Sequence, residues 1–525
     1  MKKYIYTLAA LAIGFTSCEP ELDNPVDENF YTAGSADFTN YVAVGNSLTA
    51  GFADSALYIT GQNDSYPNIM AQQFELVGGG EFTQPLMADN LGGLKSSGMQ
   101  IADNRLVLSV DANGNPAPSV LAGDPATDIS NVLSGPFNNM GVPGAKSFHL
   151  VAPGYGNVQG VPTEEANPYY VRFASEPNAT VIGDAVAQSP TFFTLWIGNN
   201  DVLSFATSGG LGVDQTGNLD PTTYGGNDIT DPNVFASVYA NQVELLVGTG
   251  AKGALINLPD VTSLPYFTTV PFAPLSPANP DFGPLIPTLN ATYAQLNGAF
   301  AFLGVPERSI SFATDAASAV VVKDESLTDI STQLTQVLIG GGIDPTTATL
   351  YGQQYGQARQ ATASDLLVLP SSGIIGQLNQ ERFDQLLSFG VPAETAGQLA
   401  VNGVTWPLED RWVLTTSEQA SVTAAQTSYN ATIQALAQQN DLAYVDARSV
   451  LQQVAGGGLP FDGGVITSEY VTGGGFSLDG VHPTPRGYAL TANTIIDAIN
   501  AKYGSTIPRV NVGEYNTVTI SNDVN

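Results

Sequence analysis

Only two of the 525 residues are histidines, and His482 has a carboxylate at fixed short range, in Asp479-Gly480-Val481-His482-Pro483. Asp and His three apart on one turn can lie close, so that the carboxylate meets one ring nitrogen. The other nitrogen is then left to act as a base toward a hydroxyl. A candidate hydroxyl is Ser47 in Gly45-Asn46-Ser47-Leu48. A serine at a strand-to-helix turn exposes its hydroxyl and backbone N–H together, as a nucleophile needs if its own amide is to help hold an oxyanion. A third group is Gly198-Asn199-Asn200-Asp201, where a fixed side-chain amide can donate to developing negative charge. Each alone has a plainer reading: a serine helix cap, an Asn or Asp turn, a surface turn. His149 lacks an Asp-x-x-His frame and recognisable ligand partners, so it is expected to be structural. Asp201 is expected to shape its loop. Thr49 stands where a Gly-x-Ser-x-Gly elbow needs glycine, which excludes that arrangement.

The elements that must position these groups alternate between strand and helix. Tyr41–Val44, Thr191–Ile197, Gly253–Leu258 and Leu442–Val445 are short apolar runs that stop at Gly45, Gly198, Pro259 and Asp446, as buried strands do. Helical spacing joins Phe235, Val238, Tyr239, Leu245 and Leu246, and again Leu289, Tyr293, Leu296, Phe300 and Leu303. Thr415 and Glu418 have capping-box spacing ahead of Val422, Tyr429, Ile433 and Leu436. Tyr488, Ala492, Ile495 and Ile499 mark a last helix, with Gly504 placed as its C-terminal cap. Strands alternating with helices predict an α/β fold with a mostly parallel sheet, whose ligands sit beyond the carboxyl ends of the strands. Residues 61–130, with a possible hairpin around Asp111-Ala112-Asn113-Gly114, and residues 305–414, with Val320-Val321-Val322 and Gly340-Gly341-Gly342, break the alternation. Both are expected to be insertions on one domain spanning 38–505, followed by a C-terminal extension at 506–525.

Taken in order, Gly-Asn-Ser-Leu near the N-terminus, Gly-Asn-Asn-Asp in mid-chain and Asp-Gly-Val-His near the C-terminus resemble the blocks of the SGNH hydrolases, also called the GDSL lipase/esterase family. Asn139-Met140-Gly141-Val142-Pro143-Gly144-Ala145 is similar to that family's Asn-x-Gly-x-x-Gly loop. The resemblance covers about residues 38–503 and implies a three-layer α/β/α flavodoxin-like fold. It also implies ester hydrolysis through an acyl-serine. Ser47 would be the nucleophile, His482 the base and Asp479 its support. The amides of Ser47 and Gly144 and the side chain of Asn200 would form the oxyanion hole. No metal or cofactor is implied. The family's first block has Asp where this chain has Asn46, which puts the local turn network in question more than the nucleophile. Acyl esters of lipid type are the expected substrates, with carbohydrate acetyl esters next. A non-catalytic ligand-binding lipoprotein on the same fold is the alternative. The 305–414 insertion reads equally as a lid over an acyl site or as a structural subdomain.

Composition narrows the partners. With 48 acidic and 16 basic side chains the formal net charge is −32, which disfavours nucleic acid and polybasic docking to anionic lipid. Anionic substrates would be repelled at low salt, so neutral ones are expected. The single Cys18 excludes an intramolecular disulfide. It follows a short basic start, Met1-Lys2-Lys3, an apolar stretch from Tyr4 to Phe15, and Thr16-Ser17. This resembles the lipobox of bacterial lipoproteins. It implies export, removal of residues 1–17, and lipid attachment at Cys18 to a Gram-negative outer membrane, facing periplasm or cell surface. Residues 18–37, acidic and Pro-containing, read as the tether between lipid and domain.

Overall fold

The computed structural model describes residues 30–110 and 114–520. Cys18, the leader and the acidic start of the tether lie outside the described residues, as do 111–113 and 521–525.

Five parallel strands form the central sheet: β1 (Tyr41–Gly45), β2 (Asn139–Gly141), β3 (Phe192–Trp196), β4 (Lys252–Ile256) and β5 (Ala443–Val445). Their order is β2-β1-β3-β4-β5, every neighbouring pair is parallel, and the connections change direction between β1 and β3. β1 and β3 are buried along their whole length. Helices cover both of their faces, which explains why they read as unbroken apolar runs. Close approach is built into the sheet: a Cβ on Gly253 of β4 would meet the Phe193 ring of β3 at 2.6 Å.

One helical layer pairs Tyr66–Glu75 with Pro485–Tyr503. The other joins Val181–Ala187, Pro232–Val247 and Thr416–Gln439. Their ends are set locally. Asp231 accepts from the N–H groups of Asn233 and Val234 ahead of Pro232 at the first helical position. The Thr415 N–H donates to the Glu418 carboxylate at 2.6 Å, closing the expected capping box. Gly504 ends the last helix at φ +67°, a left-handed conformation that suits glycine. The inner faces bury Phe235, Tyr239, Tyr429, Ile433, Ile495 and Ile499 against the sheet. At about 1.5–3 kcal/mol for each large side chain, this packing holds the helices far more firmly than their propensities would.

Four expected strands are present. The fifth, β2, was not expected, because Asn139-Met140-Gly141 reads as loop. The stretch 61–130 is not all insertion, since Tyr66–Glu75 is a core helix whose Tyr66, Ile69, Met70 and Phe74 are buried. The hairpin in that stretch is observed, with Leu106 opposite Val120 and Val110 opposite Pro116. A second apolar cluster draws on residues from Val270 to Val413 and includes Val320, Val321 and Val322. The helix Ile286–Phe302, read above as one of the alternating helices, lies in this cluster rather than on the sheet. Leu245 faces solvent, and Val243 takes the buried position on its helix. Residues 506–520 are tied down: Ile507 and Val512 are buried, and the Thr519 carbonyl accepts from the Leu108 N–H.

Candidate active site

The site is built where β1 and β3 end side by side, at the reversal of strand order. Gly45 allows β1 to turn there, because a Cβ would meet Thr49 Oγ1 at 2.2 Å and the Trp196 carbonyl at 2.4 Å. Asn46 then caps the short helix Ser47–Ala50, its Oδ1 accepting from the Leu48 N–H at 3.0 Å. Its Nδ2 donates to Asn199 Oδ1 at 3.0 Å, which ties the first block to the third. An amide supplies both the acceptor and the donor; an aspartate there could only accept. Ser47 follows as the first helical residue, so its own N–H has no partner within the helix.

The three residues expected to act together are brought together. Ser47 Oγ lies 2.9 Å from His482 Nε2, and His482 Nδ1 lies 2.9 Å from Asp479 Oδ2. The Phe52 ring packs on the imidazole at 4.7 Å. Asp479 is held by more than the ring. Its Oδ1 accepts from Ser477 Oγ and from the N–H groups of Val481 and His482, and its Oδ2 accepts from the Ser55 N–H at 3.0 Å. Burial would raise this carboxyl, but the His482 ring and the backbone donors outweigh it and hold it down at about 2. The carboxylate is therefore ionised whenever the imidazole can serve as a base.

The loop after β2 packs under the same site. The Val142 N–H donates to the Gly45 carbonyl at 3.0 Å. Gly144 has φ +80°, and the space its Cβ would occupy is open, with Asn167 Nδ2 nearest at 3.8 Å. Asn200 begins the helix Asn200–Thr207 and donates through Nδ2 to the Ala145 carbonyl at 2.9 Å. Asp201 is fully buried and accepts from the Ser147 N–H at 2.8 Å and its hydroxyl at 2.6 Å. Burial raises the Asp201 carboxyl despite these bonds. It acts as a clamp between the two loops, in keeping with the loop-shaping role expected of it. His149 stacks on Tyr155 at 4.6 Å, and its Nδ1 accepts from the Lys146 N–H. Burial, reinforced by Lys146, pushes its pKa down to about 4, so this ring stays neutral and structural.

A narrow, mostly apolar pocket of about 120 Å³ is lined by Ser47 and His482 at one end. Its walls come from Ile256 and Val445 at the ends of β4 and β5, from Leu451 on the helix Ala447–Gly456, and from Leu490 on the last helix. No residue between 270 and 413 lines it. The Asp479–His482 turn is braced where the Tyr266 N–H donates to the Gly480 carbonyl at 3.0 Å, with the Leu369 side chain beside Gly480. The sequence reading missed Ser55 and Ser477, which hold Asp479, and the pairing of Asn46 with Asn199. Ser55 lies 424 positions from Asp479 and carries no local pattern. Among the described residues no group of three or more His, Cys, Asp or Glu side chains could hold a metal ion. Compared with known proteins, the chain matches no family model, no curated protein and no solved structure.

Proposed function

We propose that this protein is a serine-dependent carboxylic ester hydrolase of the SGNH type that its four sequence blocks resemble. The observation that carries the reading is the unbroken hydrogen-bond chain from Ser47 Oγ through His482 to a deeply depressed Asp479 carboxyl. Ser47 Oγ attacks the ester carbonyl carbon while His482 Nε2 takes its proton. Asp479 stabilises the imidazolium and holds the ring with Nε2 toward Ser47. The tetrahedral oxyanion receives the N–H groups of Ser47 and Gly144 and the Nδ2 of Asn200. His482 returns the proton to the alcohol as its bond to carbon breaks, leaving an acyl-serine. Water then attacks, with His482 again as base, and the carboxylic acid leaves.

The pocket beside Ser47 favours an acyl group of lipid type over a bare acetyl group, because its walls offer apolar contact and almost no hydrogen-bonding groups. The net charge of −32 favours neutral esters. The Cys18 pattern supports an exported, lipid-anchored chain that carries this domain on its tether at the outer membrane. The test is turnover of nitrophenyl esters, from acetate to laurate, by the chain from residue 19 onward. Hydrolysis that is abolished in Ser47→Ala and rises with acyl length supports the proposal. No turnover of any ester, or turnover unchanged in Ser47→Ala, leaves a ligand-binding protein on this fold.

A further inference from the structure

A second carboxylate stands directly behind the first. Asp54 is only 4% exposed. It sits with Ser55 in a two-residue turn whose ends are tied by paired bonds between Ala53 and Ala56, each at 3.0 Å. Asp54 has φ +53° and Ser55 φ +64°. Left-handed conformations at both central residues define a type I′ turn, which normally uses Asn or Gly. Two non-glycine residues held there cost conformational energy that the surroundings must over-determine. The turn delivers the Ser55 N–H to Asp479 Oδ2 at 3.0 Å. The Asp54 side chain holds the residue before Asp479: Oδ1 accepts from the Leu478 N–H at 3.0 Å, while Oδ2 accepts from the Tyr58 hydroxyl at 2.9 Å. The Asp54 N–H donates to Ser477 Oγ, which donates in turn to Asp479 Oδ1.

We propose that Asp54 is a positioning residue of this site: its carboxylate fixes the 477–482 turn so that Asp479 meets Ser55 and His482 together, and its protonation releases that turn. The inference rests on the ester-hydrolase reading. The charged groups facing Asp54 are Asp479 and Arg105, and the hydroxyls of Tyr58, Tyr470 and Tyr488 lie in its field. Arg105 stacks 4.9 Å above the Tyr58 ring rather than pairing with the carboxylate. Burial, with the Asp479 charge adding to it, pushes the Asp54 carboxyl up to about 6, against the pull of the Leu478 and Tyr58 bonds. A neutral carboxyl loses the charge-assisted part of both bonds and must turn the Tyr58 bond around. Because the folded pKa is raised, the folded chain binds the extra proton between about 6 and the unfolded value of about 3.9.

The test compares kcat and KM for one nitrophenyl ester between pH 5 and 7.5 in wild type, Asp54→Asn, Asp54→Ala and Tyr58→Phe. Asparagine accepts from Leu478 and donates to Tyr58 as the neutral carboxyl does, so Asp54→Asn mimics the protonated state and should be about ten-fold slower than wild type at pH 7.5. At pH 5 the wild type, mostly protonated at Asp54, should come within about two-fold of Asp54→Asn at unchanged KM. This takes a misplaced Asp479 to cost about ten-fold. Asp54→Ala should be about ten-fold slow throughout. Tyr58→Phe removes a donor that favours the anion, so the pH at which kcat falls toward the Asp54→Asn level moves upward in that background. Folding of wild type relative to Asp54→Asn should also strengthen as pH falls from 7 to 4 in urea titrations. A ratio of wild-type to Asp54→Asn kcat that stays constant from pH 7.5 to 5, or full kcat in Asp54→Ala, overturns the inference. If Asp54→Ala does not fold, the Asn and Phe variants decide. No turnover by the wild type overturns the hydrolase reading and this inference together, whereas turnover with a flat ratio overturns this inference alone.

Discussion

Replacing Asp479 by Asn removes one charge and turns one of two well-filled oxygens into a donor. Oδ1 receives three donors and Oδ2 two, so the amide nitrogen goes to the Oδ2 side, facing the Ser55 N–H and His482 Nδ1. The imidazole can then satisfy Nδ1 only as an acceptor, which moves its proton to Nε2 and leaves nothing to take the Ser47 proton. A wrong tautomer of this kind costs about 10³–10⁴ in kcat, or about 4–5.5 kcal/mol. Stability falls as well. A carboxyl held at about 2 in the fold and near 3.9 in the unfolded chain contributes about 2–3 kcal/mol at neutral pH. Its folded pKa is depressed, so that contribution is present above about pH 4 and is lost as pH falls toward 2. Turnover of a nitrophenyl ester measures the first quantity, and urea unfolding at pH 7.5 and pH 3 measures the second. The stability gap between wild type and Asp479→Asn should shrink by about half at pH 3. A kcat loss under ten-fold, or a gap equally wide at both pH values, would refute this account of Asp479.

Other perturbations separate the remaining parts. Asn200→Ala should lower kcat by about 10²–10³ with little change in KM, since it deletes one proposed oxyanion donor. Gly144→Ala forces a Cβ onto a residue at φ +80° with open space around it. It should cost about 1–2 kcal/mol in backbone conformation and slow kcat through a displaced amide, both readable from turnover and urea midpoints. Leu451→Trp should fill the pocket, cutting kcat/KM for octanoate at least ten-fold while sparing acetate; equal losses for both would place the acyl chain elsewhere. Deleting 320–345 removes Val320–Val322, Leu334 and Leu338 from the second cluster but no wall of the pocket. It should therefore reduce thermal stability without changing chain-length preference, and a changed preference would revive a lid role for the insertion.

What the sequence reveals follows from how local each signal is. β1, β3, β4 and β5 are apolar runs with sharp stops, and their burial on both faces makes them visible. β2 escapes because three residues, one of them Asn139, carry no period; its strand character comes from pairing with Ala43, Val44 and Gly45. Tyr66–Glu75 escapes because Asn68, Gln72 and Gln73 dilute its buried stripe. Ser47, Asp479 and His482 are legible because the proposed chemistry needs those residue types at those turns. The groups that hold them are not: Ser55 and Asp54 act across more than 400 positions, Ser477 acts through a hydroxyl with no motif of its own, and Asp54 works from a left-handed turn that its residue types do not announce. The pocket is likewise assembled from strand ends and two distant helices, so no stretch of sequence contains it.

The most direct measurement of the central claim is the intact mass of the protein after reaction with a fluorophosphonate, followed by peptide mapping. The account predicts one phosphonyl group per chain, on Ser47, absent in Ser47→Ala and formed far more slowly in His482→Ala. No adduct, or an adduct on another residue that persists in Ser47→Ala, would contradict it.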